Sequence, residues 1–195
     1  MRIKDQIVTD NYAIYNGDCM DGMTTLPGAS IGFSVYSPPF AGLYNYSSSE
    51  RDFSNCENKE QFLAQYDFLV AELARVTKPG RLTAVHRTDD FDNSCNLWDF
   101  PGEIIKIHAR HGFQFRCRQI VRKEPLKVRM RTMVKSLMHK LVVEDMVQCF
   151  SAMPDYVLIF SRKGDNEVPV VHPLGLTEFP YFGEQPILPH FLEAW

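Results

Sequence analysis

Ser37-Pro38-Pro39-Phe40 is the segment of this 195-residue sequence whose groups can do chemistry together. The Ser37 hydroxyl and the Pro38 carbonyl are both hydrogen-bond acceptors. Two consecutive prolines fix φ and carry no N–H, so the loop is stiff and presents carbonyls. Phe40 adds a flat aromatic face. Two acceptors beside such a face suit a planar heterocycle that carries an exocyclic amino group. The nitrogen of that amino group is a poor nucleophile, because its lone pair is delocalised into the ring. Acceptors aimed at its hydrogens favour a more tetrahedral nitrogen. Positioning and hydrogen bonding would carry the rate, and no metal is required. A proline pair after a strand is common in loops, so the tetrapeptide gains its meaning from its surroundings.

Those surroundings alternate between strand and helix signals. Tyr12 to Gly17 is a short β-like run ending at Gly17-Asp18, and Met20 to Leu26 reads as a short helix closed by Pro27-Gly28. Ile31 to Tyr36 is a compact apolar run stopped by the prolines, the pattern of a buried parallel strand entering a loop. Gly42 to Asn58 is rich in Ser, Asn and Tyr with little periodicity and reads as a mobile loop. Lys59 to Val76 places Phe62, Leu63, Tyr66, Leu69, Val70, Leu73 and Val76 at the spacing of an amphipathic helix, ended by Lys78-Pro79-Gly80. Arg81 to His86 reads as a strand, Asp99 to Arg110 as a helix stopped by Gly112, and Phe113 to Val121 and Tyr156 to Phe160 as strands. The alternation predicts a parallel sheet with helices on both faces. In such sheets ligands bind beyond the carboxyl ends of the strands. Asp18 and Ser37-Pro38-Pro39-Phe40 both fall just past strand ends, on one functional edge.

Taken together, Asn16-Gly17-Asp18-Cys19, Leu26-Pro27-Gly28-Ala29-Ser30 and Val35-Tyr36-Ser37-Pro38-Pro39-Phe40 resemble the N4-cytosine/N6-adenine DNA amino-methyltransferases. The likeness is to phage and bacterial members, including those of restriction-modification systems, with the catalytic motif near the N-terminus, and covers roughly residues 10 to 165. It implies a Rossmann-like α/β fold, S-adenosylmethionine as cofactor and double-stranded DNA as partner, in the cytoplasm of a bacterial or phage-infected cell. It implies that Ser37, Pro38, Pro39 and Phe40 bind the target amino group. It implies that Asp18, with Cys19 beside it, borders the adenine of the cofactor; an ordinary turn or N-cap role is the alternative for Asp18. Serine in first position favours cytosine N4 over adenine N6. Tyr44 and Tyr46, in the loop that follows, are placed beside the DNA.

A second feature supports a nucleic-acid partner. Between Arg122 and Lys140 lie Arg122, Lys123, Lys127, Arg129, Arg131, Lys135 and Lys140, opposed by Glu124 alone, in a chain of formal net charge -3. Such segregation suits phosphate contact beside a cleft, while a solvated helix face is the alternative. The five cysteines lack C-x-x-C spacing, which argues against a disulfide framework or a zinc site and for a reduced cytosolic compartment. No apolar run approaches the ~20 residues that span a bilayer. His108 and His111 read as a surface pair or helix C-terminal partners, and Trp98 and Trp195 as packing residues. His172-Pro173 reads as part of the tail.

The resemblance also implies something missing. Methyl transfer in that family uses an aromatic-x-Gly-x-Gly turn at the methionine part of the cofactor, and the 11 glycines include no Gly-x-Gly pair. The expected organisation is therefore residues 1–164 as the catalytic part of a methyltransferase domain, with a basic DNA-contacting segment at 122–140. Residues 165–195, with five of the 12 prolines, are expected to lead as a tail or linker toward a cofactor-binding half. That half would be a continuation of the chain or a second chain. The sheet is expected to be incomplete, with the strand ending at Asp18 separated from the strand ending at Tyr36. The alternative is a non-catalytic DNA-binding or accessory module that keeps the loop as scaffold.

Overall fold

The structure is a computed structural model that describes residues 3–39, 46–48, 51–91, 97–132, 143–148 and 154–171. Strands β1 (Ile3–Val8) and β2 (Ala13–Gly17) form an antiparallel hairpin that stands as its own sheet. The short helix α1 (Cys19–Thr24) follows directly. Strand β3 (Ile31–Tyr36) leads, through the proline loop, to helix α2 (Lys59–Val76) and strand β4 (Thr77–Arg87). Two-residue strands β5 (Asp90–Phe91) and β6 (Leu97–Trp98) pair with each other ahead of helix α3 (Phe100–Arg110). Strand β7 (Phe113–Val121), helix α4 (Pro125–Thr132) and strand β8 (Asp155–Arg162) complete the order.

The main sheet runs β3-β4-β8-β7. β3 and β4 are parallel, joined by α2, whereas β8 is antiparallel to both of its neighbours. The sheet is therefore mixed, where the alternation of elements predicted a parallel one. Hydrophobic alternation marks which residues share a face but carries no strand direction. Among the described residues the long helices α2 and α3 pack on one face only. Phe62, Tyr66, Val70 and Leu73 of α2 and Ile104 and Ile107 of α3 enclose Val85, Phe113, Leu158 and Phe160 of the sheet. Each such side chain contributes about 1.5–3 kcal/mol by leaving water.

β3 departs from expectation in another way. It is an edge strand, with Phe33 37% and Val35 62% exposed, where its apolar run suggested a buried one; the expected separation of the strand ending at Asp18 from the strand ending at Tyr36 is observed. A run of this length cannot by itself tell a central strand from an edge strand whose outer face awaits cover. β4 also begins four residues earlier than expected. α2 closes at Val76, where Thr77 returns its N–H and its hydroxyl to Leu73 O. Lys78-Pro79-Gly80 then belongs to the strand, with Gly80 at φ 71, a conformation that glycine alone adopts without penalty. The end of α3 is as predicted. Gly112 at φ 78 donates its N–H to Ala109 O at 3.2 Å. Among the described residues no helix is long and apolar enough to cross a membrane.

Candidate functional site

A cavity of about 970 Å3 opens beyond the carboxyl end of β3. Its walls include Asn16, Gly17, Asp18 and Cys19 from the end of the hairpin, and Ser37, Pro38 and Pro39 from the loop. Arg51, Asp52 and Phe53 close another side, and Leu69 and Leu73 of α2 supply apolar surface. The two motif segments singled out in the sequence thus share one cavity. They reach it from different sheets, because β2 pairs with β1 and not with β3.

Ser37 is exposed, Pro38 is buried and Pro39 is half-buried. The loop is held from beneath by a chain of buried polar groups. His108 Nδ1 lies 2.8 Å from Ile104 O, and since a carbonyl can only accept, Nδ1 carries the proton. Nε2 then accepts from the Tyr36 hydroxyl at 3.1 Å, and Tyr36 accepts from the Tyr66 hydroxyl at 2.8 Å. Burial, aided by nearby His111, pushes the His108 pKa down to about 4, so the ring is neutral at pH 7. Burial likewise raises both tyrosines, which stay protonated and able to donate. The middle member of this chain, Tyr36, is the residue before Ser37. His108 is fully buried and stacks on Phe160 at 4.1 Å, which corrects its reading as a surface residue. The apolar neighbours at Ile104 and Ile107 placed it on the inward face of α3. His111 is at the C-cap of that helix, with Nε2 3.0 Å from Asp67. Trp98 packs on Phe100 at 4.8 Å, beneath the Lys59 ammonium.

Asp18 is the N-cap of α1, accepting from the N–H groups of Met20 at 2.8 Å and Asp21 at 3.4 Å. Its second oxygen pairs with Arg51 Nε at 3.1 Å, and Arg51 also reaches Asp21 at 2.9 Å. The capping role weighed for Asp18 is therefore real, and the residue lines the cavity at the same time. Cys19 lies beside it; partial desolvation of the thiol, then the Asp18 carboxylate, raises its pKa. Arg51 gave no sequence signal, because it sits in a polar segment without periodicity.

Phe40, Tyr44 and Lys135 lie outside the described residues, as do the side chains of Arg129 and Arg131. Tyr46 is 62% exposed, and its N–H donates to Ser54 Oγ at 3.3 Å. Arg122 is exposed. Lys123 pairs with Asp155, and Lys127 pairs with Glu124 at 3.1 Å. Asp155 thus opposes the basic segment in space from 32 residues along the chain, which the linear count of charges could not register.

The arrangement, a mixed α/β sheet with a cavity at the strand ends, has counterparts among solved structures. No protein-family model and no curated protein matches the chain. A protein of Thermus thermophilus assigned to the DNA modification methylases matches with a TM-score of 0.56 at 19% identity, over 79% of this chain and 54% of that one. The same protein complexed with S-adenosyl-L-methionine gives 0.54 at 18% identity, over 79% and 56%. The PvuII DNA methyltransferase, specific for cytosine N4, gives 0.54 at 17% identity, over 75% and 48%. What is shared at these identities is the fold. It is the Rossmann-like α/β fold of S-adenosylmethionine-dependent methyltransferases, of which this chain carries a part. The chain spans about half the length of the solved structures that it matches.

Proposed function

We propose that this chain supplies the target-base pocket of an S-adenosylmethionine-dependent DNA methyltransferase that modifies an exocyclic amino group, cytosine N4 in preference to adenine N6. The observation that carries the reading is the shared cavity, in which Asp18 and Ser37-Pro38-Pro39 line one space. A base taken out of the stack would enter against the loop. Its amino group donates one hydrogen to Ser37 Oγ and the other to the Pro38 carbonyl, and both acceptors drain the conjugation that makes the nitrogen a poor nucleophile. As the methyl bonds to nitrogen, its bond to the donor's sulfur would break to leave a neutral thioether; the two acceptors stabilise the positive charge that develops on nitrogen until one of its protons is lost to solvent. Phe40 stacks on the base. Arg51 offsets part of the charge of Asp18 and Asp21, and with Asp52 and the apolar Met20 and Met23 the walls keep an acidic balance that fits a cationic adenosyl compound. Asp18 and Cys19 would border its adenine. When bound, S-adenosylmethionine supplies the electrophilic methyl group. These 195 residues hold no Gly-x-Gly turn; a further segment or a second chain would supply it to the methionine part of the cofactor. Residues 165–195 would lead toward that half.

The basic segment is proposed to contact phosphates through Arg122, Lys123, Lys127, Arg129, Arg131 and Lys135, with Tyr44 and Tyr46 flanking the base. Reversing Arg129 and Arg131 to Glu is expected to weaken DNA binding. The slope of log affinity against log salt should fall by about 2. Fluorescence anisotropy over a salt series reads both quantities, and an unchanged affinity at low salt removes the segment from the interface. Transfer of labelled methyl from S-adenosylmethionine to DNA by the whole enzyme tests the reaction itself. Tight DNA binding without any transfer would favour an accessory module instead.

A further inference from the structure

On the strand next to the proline loop, a buried cation does what the loop's missing N–H groups cannot. β3 and β4 are parallel with Tyr36 opposite Val85. Two residues further along that register Pro38 comes level with Arg87. A parallel ladder would continue there through backbone N–H donors, but Pro38 and Pro39 have none. Instead Arg87 Nη1 donates to the Pro38 carbonyl at 3.2 Å, across the same 49-residue separation as the strand register. Arg87 is 2% exposed, with its guanidinium over the Phe100 ring at 4.5 Å and 3.7 Å from Asp90.

Stability alone does not account for an arginine at this position. Burying a guanidinium is expensive, and an apolar side chain of similar volume often serves a core as well or better. Burial pulls its pKa down to about 10, so it remains a cation at neutral pH. What arginine offers over an apolar residue is a rigid fork of donors at a fixed height above the sheet. A carbonyl oxygen has two lone pairs. With one taken by Arg87, the peptide plane is pinned, and the second lone pair is held in one direction beside the cavity that Pro38 lines.

We infer that Arg87 is the positioning residue of the base pocket, holding the Pro38 carbonyl in the orientation that receives the amino group of the target base. This rests on the proposed role of the loop, and its test separates the two. Arg87→Met, Arg87→Lys and Ser37→Ala are compared within the whole enzyme, each rate corrected for the fraction folded in a thermal melt. Arg87→Met is expected to lower kcat about 10-fold through lost alignment, with KM for DNA changed by less than about 2-fold. Arg87→Lys, which keeps a donor, recovers part of kcat. If Arg87→Met fails to fold, Arg87→Gln, which also carries an N–H donor, takes its place and should outperform Arg87→Ala. A corrected kcat for Arg87→Met equal to that of the unmodified enzyme, or a Gln variant no better than Ala, overturns the inference. Should those results come while Ser37→Ala is inactive, the base-pocket reading stands without Arg87. Full activity of Ser37→Ala takes away the base-pocket reading itself.

Discussion

Ser37→Ala is expected to cut methyl transfer to DNA about 100-fold, the loss that follows from removing one preorganised hydrogen-bonding group from a reacting centre. The geometry makes this a clean experiment. Ser37 is exposed at the end of β3, between the half-buried Tyr36 and the buried Pro38. An exposed substitution of this kind changes stability by no more than about 0.5 kcal/mol. The fold, the Arg87 contact to Pro38 and the Tyr66–Tyr36–His108 chain all survive. The effect should therefore fall on kcat, with DNA affinity within about 2-fold of the unmodified enzyme. Phe40→Ala is expected to act in the same sense, through lost stacking of the flipped base. Single-turnover methyl incorporation and anisotropy titrations measure the two parameters separately. Undiminished turnover in both variants would take the loop out of the reaction.

The second large effect concerns pH. Folded His108 titrates at about 4 against an ordinary value of 6.5. The native ring is thus neutral where the unfolded ring has begun to take up a proton. The contribution is present in full above about pH 6.5 and is lost progressively as pH falls toward about 4, amounting to about 3 kcal/mol. His108→Phe keeps the stack on Phe160 and removes the titration, at the cost of leaving the Tyr36 hydroxyl without its acceptor. Near neutrality the variant should be the less stable protein. As the pH is lowered toward about 5 the gap should narrow, because only the histidine protein gains a proton on unfolding. Urea unfolding of both proteins across that range gives the comparison. A stability difference that does not vary with pH would mean that the buried ring does not titrate as described.

Much of the element order was legible because it is local. Ile31–Tyr36, Lys59–Val76 and Phe113–Val121 were bounded by the proline pair, by 3.6-residue spacing and by Gly112 respectively, and the structure has the same limits. What failed was pairing. The sequence could not show that β8 runs antiparallel to β4, or that β2 folds back on β1, although the gap between β2 and β3 was expected from the missing glycine turn. Strand direction and neighbour choice depend on packing across the whole chain.

The candidate site divides along the same line. Ser37-Pro38-Pro39 and Asp18 were visible as motifs, and the cavity brings them together. The groups that support them come from 30, 49 and 72 residues away, at Tyr66, Arg87 and His108. One signal for Arg87 was present. Along Thr83, Val85 and Arg87 the period of two places a charge on the buried face of the strand. A charged residue at an inward position is the kind of local inconsistency that marks a functional site.

The central claim is that Ser37 and Pro38 receive an exocyclic amino group of a DNA base. Its most direct test is the identity of the methylated product. DNA treated with the whole enzyme and labelled S-adenosylmethionine is digested to nucleosides and separated by mass spectrometry. Label is expected in N4-methylcytosine, at a level about 100-fold lower when Ser37→Ala is used at the same concentration and time. Label on a ring carbon or ring nitrogen, or N4-methylcytosine formed equally well by Ser37→Ala, would contradict the claim.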